Sequence, residues 1–184
     1  MMRDMSMHIM DICQNSIKAQ ARHIKISVVE DAARDIFSFT ITDDGCGMSP
    51  ELLKKVRDPF TTSRTTRKVG LGIPMLEQTC QQCGGRLELE SEVGKGTTLT
   101  AIMGFHSIDR PPMGDIGASL LAMIIPNENE GFELVYEHKR SGKTFLLDTA
   151  ELKAALDGVP MSEPSVMQWI SGFIKEGLDE LYID

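Results

Sequence analysis

An aspartate followed by glycines at alternate positions carries the clearest chemical signal in this chain of 184 residues. Residues 43–48 read DDGCGM, and Asp43 ends a predicted strand. Gly45 and Gly47 have no side chains, so the backbone there can approach a flat ligand closely. The Asp43 carboxylate can accept a hydrogen bond from an exocyclic amine such as adenine N6. A tight turn without a ligand is the alternative interpretation.

Three polar residues upstream are spaced to share one face of a helix. Asp11, Asn15 and Lys18 stand at i, i+4 and i+7. Carboxylate and amide oxygens are suitable partners for a hydrated Mg²⁺, and the lysine can reach phosphate oxygens. An ordinary polar stripe on a helix surface has the same spacing, so the pattern leaves both interpretations open.

A second glycine motif lies downstream, where Gly70, Leu71 and Gly72 precede a predicted helix. Free backbone N–H groups at a helix N-terminus bind phosphate, although a plain joint between loop and helix looks the same in sequence. Residues 57–70 before this helix are polar, basic and without periodicity, which predicts a mobile loop.

The elements that must position these residues follow from hydrophobic periodicity, turn residues and helix caps. Ser49 and Pro50, for example, are typical of a helix start. The pattern predicts a helix at 4–19, strands at 23–29 and 36–41, helices at 49–56 and 72–83, and strands at 86–90 and 97–105. Residues 106–114, which contain two adjacent prolines, are the best linker candidate. After them we predict a helix at 118–125, a hairpin of strands 132–138 and 144–147, and helices at 149–156 and 165–182.

Composition and charge narrow the function classes. The chain is 41% hydrophobic and 25% charged, with no apolar stretch of the roughly 18 residues that a membrane helix needs. It also lacks the layout of a secretory signal, so we expect a cytoplasmic protein without a membrane partner. The first 107 residues are neutral, and the whole net charge of −8 falls after them. An acidic tail repels nucleic acid and favours a basic protein surface, unless it is simply a solvated surface.

Four cysteines lie in the neutral part of the chain, and Cys80 and Cys83 form a CxxC pair. This spacing occurs in metal knuckles and in redox pairs. The pair ends a predicted helix, however, so buried reduced thiols packed as small hydrophobic groups are the favoured interpretation.

The ordered series of motifs resembles the ATP-binding boxes of the GHKL superfamily, which includes histidine kinases, type II topoisomerases, mismatch-repair ATPases and ninety-kilodalton heat-shock chaperones. The matching segments are the N box at 11–19, the G1 box at 43–48, the F box at 58–62, the G2 box at 70–73, and the glycine motifs at 84–87 and 94–98. The resemblance covers residues 5–105. It implies an α+β fold, a two-layer sandwich in which helices cover one face of a mixed sheet. We therefore expect an ATP-binding domain at 1–107, a linker at 108–114 and a small acidic α+β unit at 115–184.

The resemblance also implies roles for individual residues, with ATP and Mg²⁺ as cofactors. Asn15 becomes the Mg²⁺ ligand, Asp43 the adenine anchor, and residues 57–70 the lid over the phosphates. The implied ATP-binding set is Asn15, Lys18, Asp43, Gly45, Gly47, Met48, Thr61, Thr62, Arg64, Lys68, Gly70, Leu71, Gly72 and Thr97. Asp11 stands where hydrolysing relatives usually carry a glutamate base. Its shorter side chain leaves two roles open, a catalytic base or a polar partner in the Mg²⁺ shell.

Sensor histidine kinases carry a phosphoacceptor domain before the N box, and here the N box begins within the first dozen residues. His8 lacks the acidic neighbour and later proline of an acceptor motif. We therefore expect a regulatory protein that uses Mg·ATP to phosphorylate, or to bind, a protein partner in trans through its acidic C-terminal unit. A non-catalytic switch and a slow ATPase are the alternatives, and a homodimer is left open. No nucleic-acid partner is expected.

Overall fold

The computed structural model of the chain describes residues 3–57, 71–128 and 131–183, which form six helices and six strands. In chain order these are α1 (Met5–Lys18), β1 (His23–Asp31), β2 (Ile36–Asp43), α2 (Pro50–Lys55), α3 (Gly72–Gln82), β3 (Arg86–Glu92), β4 (Gly96–Gly104), α4 (Ile116–Asn127), β5 (Glu133–Arg140), β6 (Lys143–Asp148), α5 (Thr149–Leu156) and α6 (Pro164–Leu181). Each predicted helix and strand within the described residues is present, with ends shifted by at most two residues. None of the described helices is long and apolar enough to cross a membrane.

The six strands form one mixed sheet in the order β3-β4-β2-β1-β5-β6. Neighbouring strands run antiparallel except β1 and β5, which are parallel. Along β1, buried Ile24, Ile26 and Val28 alternate with the exposed or half-buried residues between them, so one face of the sheet carries the core. The helices α1, α3 and α6 contact strands of this sheet. The predicted α+β class, a mixed sheet with helices, is therefore confirmed.

Two helix starts show why the local sequence folds as it does. Asp4 caps α1 by accepting a hydrogen bond from the Met7 amide at 2.9 Å. Ser49 caps α2 by accepting one from the Leu52 amide at 3.3 Å, and Pro50 follows as the first helical residue, as the sequence predicts. Both caps satisfy amides that have no partner inside the helix.

The C-terminal segment has the predicted helices and hairpin, but its strands extend the first sheet instead of forming a second one. β5 pairs in parallel with β1, with Ile24 opposite Leu134, and α4 packs against α1. Residues 108–114 are also tied to the first segment, because the Met5 and Ser6 amides donate to the carbonyls of Pro112 and Met113 at 2.9 and 2.8 Å. The outer edge of β1 is an unpaired row of backbone groups until β5 covers it, which explains why the sheet crosses the predicted linker.

Candidate functional site

A cavity of about 560 Å³ opens beside the ends of α1, β2 and β4. Its volume lies in the range of small-molecule sites. Apolar side chains form much of the wall, among them Ile12, Ile41 and Leu99. The polar lining residues are Asn15, Ser16, Lys18, Asp43 and Thr97. A flat apolar ligand with a few polar edges fits such a lining.

Asp43 is the last residue of β2 and is 8% exposed. Its Oδ2 accepts a hydrogen bond from the Ser16 hydroxyl at 2.5 Å, and its Oδ1 accepts one from the Gly45 amide at 2.9 Å. Each carboxylate oxygen has a second lone pair, so the held carboxylate can still accept from an exocyclic amine. Sequence reasoning missed Ser16. Its only signal is its place on α1, one turn after the buried Ile12, on the side that faces the sheet.

The glycines of the DDGCGM run have different roles. Gly47 lines the cavity with a positive φ of 68°, and a Cβ there would lie 1.9 Å from the Glu92 carbonyl oxygen. Gly45 does not line the cavity. Its amide instead fixes Asp43, and a Cβ would come within 3.0 Å of the Ala19 carbonyl oxygen and of Asp43 Oδ1. Glycine at 45 therefore leaves room for the Asp43 carboxylate, and glycine at 47 lets the loop lie against the backbone of Glu92.

Thr97 and Met48 are connected through a residue that the sequence did not single out. The Ser91 hydroxyl accepts a hydrogen bond from the Met48 amide at 2.9 Å and lies 2.9 Å from the Thr97 hydroxyl. Thr97 also sits opposite Asp43 in the register of β2 and β4. Both predicted residues, Thr97 and Met48, line the cavity.

Of the three residues predicted to share one face of α1, two line the cavity and one does not. Asn15 and Lys18 line it, whereas Asp11 lies one turn away against the start of α3. A Cβ on Gly72 would be 1.9 Å from Asp11 Oδ2, so glycine is needed here for the carboxylate to occupy its place. Asp11 Oδ2 is buried, and no described residue gives it a hydrogen bond. Gly72 is buried and Leu71 is 55% exposed, and neither is among the lining residues.

The remaining predicted site residues fall outside the residues that the structure describes. They are Thr61, Thr62, Arg64, Lys68 and Gly70. Their contact with phosphate therefore stays a prediction.

The donor set fits a Mg²⁺ ion that arrives with a nucleotide. Among residues 3–57, 71–128 and 131–183, no cluster of three or more His, Cys, Asp or Glu side chains forms a metal cage. Mg²⁺ usually takes only one or two protein oxygens and completes its shell with phosphates and waters. The Asn15 amide oxygen in the cavity would supply one such ligand, whereas Asp11 lies outside the cavity lining.

The cysteines and histidines of the described residues do not form a metal or redox site apart from the cavity. Cys80 and Cys83 are buried free thiols, and burial raises the pKa of Cys80 to about 12, as expected for an inert packed thiol. None of the four histidines of the chain lines the cavity. His8 and His138 are buried, while His23 pairs with Asp44 at 2.6 Å.

Comparisons with known proteins agree with this geometry. The sequence matches the family described as "Histidine kinase-, DNA gyrase B-, and HSP90-like ATPase" over residues 3–106. The sensor histidine kinase ZraS of Escherichia coli is 26% identical over 106 residues, which are 58% of this chain and 23% of that protein. Sporulation kinase C of Bacillus subtilis is 30% identical over 99 residues, 53% of this chain and 22% of that protein.

The chain therefore spans less than a quarter of the length of these two relatives. Among solved structures, the N-terminal domain of a DNA repair protein superposes with a TM-score of 0.56 at 16% identity. The superposition covers 80% of this chain and 53% of that one. At this identity the likeness supports the fold alone.

Proposed function

Because this chain belongs to the family of histidine kinase-, DNA gyrase B- and HSP90-like ATPases, we propose that it is a regulatory protein that binds Mg·ATP and phosphorylates a protein partner in trans. One observation carries the proposal: the carboxylate of Asp43 stands in the cavity wall, held by Ser16 and Gly45 in a fixed orientation. A carboxylate held in this way selects a ligand with an exocyclic amine, which ATP has.

The phosphate end of the nucleotide has its own partners. Lys18 lines the cavity and supplies a positive charge, and the neighbouring Asn15 offers an amide oxygen for Mg²⁺. When bound, Mg²⁺ would neutralise charge on the phosphate oxygens during transfer. The predicted basic lid at 57–70 belongs to the same proposal, as does a cytoplasmic location, where ATP is abundant and thiols stay reduced.

Action in trans is supported by where the histidines lie. A cis acceptor would have to reach the cavity, and the imidazoles of His8, His23, His106 and His138 are buried or bonded elsewhere. The γ-phosphoryl group would then pass to a side chain of another polypeptide, and ADP would leave. The acidic charge of residues after 107 favours a basic surface on that partner.

A non-catalytic switch is the second candidate, favoured by the position of Asp11. Its carboxylate lies against Gly72 and outside the cavity lining, so a base for an attacking water is not in place in this conformation. In that case ATP would order the lid and alter a partner surface with slow turnover or none.

The experiment begins with binding of ATP to the purified protein with and without Mg²⁺, measured by calorimetry. Labelled ATP is then supplied with fractionated lysate from the source cells. Label on a discrete protein supports the kinase, released phosphate alone supports an ATPase, and binding with neither supports the switch. Absence of ATP binding to the wild-type protein would overturn the proposal as a whole.

A further inference from the structure

The two edge strands of the sheet, β3 and β6, differ in charge. The exposed positions of β3 are all charged: Arg86, Glu88, Glu90 and Glu92. Charged side chains on an edge strand keep other strands from pairing with it. The four residues inside β6, Thr144–Leu147, carry no charge, and Leu146 is 47% exposed. Charge therefore protects the β3 edge and leaves the β6 edge unprotected.

The outer edge of β6 has no strand beside it in the part of the chain that the structure describes. β6 pairs with β5 on its inner side, from Lys143 to Asp148. Outside that ladder, no backbone hydrogen bond between described residues involves 143–148. A strand edge of this kind presents a row of N–H and C=O groups that can pair with another chain.

An aromatic patch on α6, formed by Trp169 and Phe173, lies beside β6. The helix packs directly on the strand, because a Cβ at Gly177 would lie 2.2 Å from Phe145 Cδ2. The Phe145 ring is 5.6 Å from that of Phe173, which stacks on Trp169 at 6.1 Å. Trp169 is 53% exposed and Phe173 is 40% exposed. Grouped apolar side chains at a surface mark an interaction site.

The two ends of β6 carry opposite charges. The strand begins at Lys143 and ends at Asp148, and Glu151 follows in the first turn of α5. Within the described residues none of these three forms an ion pair. Lys143 donates to the carbonyls of Glu180 and Ile183 instead. Two β6 strands that lie antiparallel would bring the basic start of each beside the acidic end of the other.

A two-fold axis perpendicular to the sheet at Leu146 makes this edge self-complementary. It places Leu146 opposite Leu146 of the second copy, and Phe145 opposite Leu147, so the central pairs are all apolar. It also brings Lys143 next to Asp148 of the second copy. An axis at Phe145 would instead place the Lys143 ammonium group opposite Leu147.

We propose that β6 is a dimer interface, at which the β6 edges of two copies pair antiparallel about a two-fold axis at Leu146. The aromatic patches of both copies then lie on the same face of the joined sheet and cover the junction. No residue of β6 or α6 lines the cavity assigned to ATP. The interface therefore stands apart from nucleotide binding, and either can fail without the other.

The first test measures the mass of the wild-type protein by analytical ultracentrifugation over a range of concentrations. We expect a dimer, with Leu146→Lys raising its dissociation constant by more than about tenfold, because two ammonium groups would meet at the axis. Ile108→Lys is the matched control, since Ile108 is an exposed aliphatic residue outside β6 and α6. Calorimetry with ATP checks that both variants keep the fold around the cavity.

The second test uses a disulfide to locate the axis. Leu146→Cys, in a Cys46→Ser background that removes the exposed native thiol, should form a cross-linked dimer on oxidation. Residues that face each other across two strands have Cβ atoms about 4.5–5.5 Å apart, close enough for a disulfide after small adjustments. Thr144→Cys is the control. In this register the two introduced thiols lie four residues apart along the strands, about 13 Å, which a disulfide cannot span.

A monomeric wild-type protein at all concentrations would overturn the proposal. So would a dimer that Leu146→Lys leaves intact, or equal cross-linking through positions 144 and 146. If the protein is a monomer and Leu146→Lys disrupts its complex with a different protein, the β6 edge belongs to that protein and the dimer is rejected.

Discussion

Tyr182, near the C-terminal end of the chain, donates its hydroxyl hydrogen to Glu30 Oε1 on the first strand at 2.7 Å. The same carboxylate is 2.9 Å from His138 Nε2 and is bonded by the Arg140 guanidinium. Glu30 is 8% exposed and His138 1% exposed, whereas Tyr182 is 46% exposed, so the network runs from the core to the surface. It joins β1, β5 and the residue after α6, and it ties the acidic C-terminal segment to the sheet that carries the cavity.

Removal of the Tyr182 hydroxyl tests this connection. Tyr182→Phe keeps the aromatic ring and removes one hydrogen bond to a buried carboxylate, so we expect the free energy of unfolding to fall by about 1.5–3 kcal/mol in urea titrations. Tyr136→Phe is the comparison variant, because it removes a hydroxyl that lies 3.0 Å from His138 Nδ1 and is not hydrogen-bonded to Glu30. An unchanged midpoint for Tyr182→Phe would mean that the hydroxyl has no net effect on stability.

The titration of Glu30 predicts how stability depends on pH. Burial raises the pKa of this carboxyl, but hydrogen bonds from His138, Tyr182 and Arg140 and the charge of His138 outweigh it and lower the pKa to about 2, against 4.5 when unperturbed. A lowered folded-state pKa stabilises the protein above the unfolded pKa. This contribution should be complete above about pH 4.5 and should be lost as the pH falls towards 2. Glu30→Gln should flatten that part of the curve in acid-denaturation measurements.

Substitutions of Asp43 and of Ser16 should weaken ATP binding to different extents. Asp43→Asn removes the charge that Ser16 and Gly45 hold, and we expect ATP binding to become undetectable by calorimetry. Ser16→Ala leaves the carboxylate in place without one of its two donors, so a weakening of roughly tenfold is expected. Ser27→Ala, on the same sheet and outside the cavity lining, serves as the control. ATP binding that survives Asp43→Asn would show that the adenine pocket lies elsewhere.

Cys46 offers a chemical probe of the cavity. It is exposed and lines the cavity, whereas Cys13, Cys80 and Cys83 are buried. Burial also raises the pKa of Cys80 to about 12 and raises that of Cys13. In the native protein a thiol reagent should modify one cysteine rapidly and three slowly, with Cys46→Ser abolishing the fast phase. Saturating ATP should slow that phase, and equal rates with and without ATP would contradict binding at this cavity.

Alanine substitutions at two glycines distinguish the cost of backbone strain from the cost of steric overlap. Gly47 and Gly94 both have positive φ, 68° and 79°. A Cβ at Gly47 meets the Glu92 carbonyl oxygen at 1.9 Å, whereas a Cβ at Gly94 has open space. Gly94→Ala should cost about 1–2 kcal/mol for the left-handed conformation alone. Gly47→Ala should cost more, about 3 kcal/mol or above in thermal unfolding, because backbone must also move. Equal losses would mean that the overlap at Gly47 relaxes freely.

Much of the candidate site was predicted from the sequence motifs and from the family that they resemble. Asp43, Gly47, Asn15, Lys18, Met48 and Thr97 were all predicted, and all line one cavity. Their element types come from periodicity and caps, which depend on neighbours a few residues away. For Asp11 the sequence left two roles open, a base or a polar partner in the Mg²⁺ shell. The structure places its carboxylate against Gly72, and the packing of α3 on α1 that puts it there is not encoded in the spacing along either helix.

By itself the sequence determined the elements and the order of the motifs, and the family that those motifs resemble supplied the residues expected to hold ATP. It did so because helices, turns and glycine motifs are short-range features. Only the tertiary structure decided that β5 pairs with β1 and that Ser16 donates a hydrogen bond to Asp43. The same holds for the hydrogen bond from Tyr182 to Glu30, which are 152 residues apart in the chain. Those contacts depend on which sheet edge is free and which side chains meet across it. Hydrophobic periodicity says that a strand has a buried face, but it does not say which strand will be its neighbour.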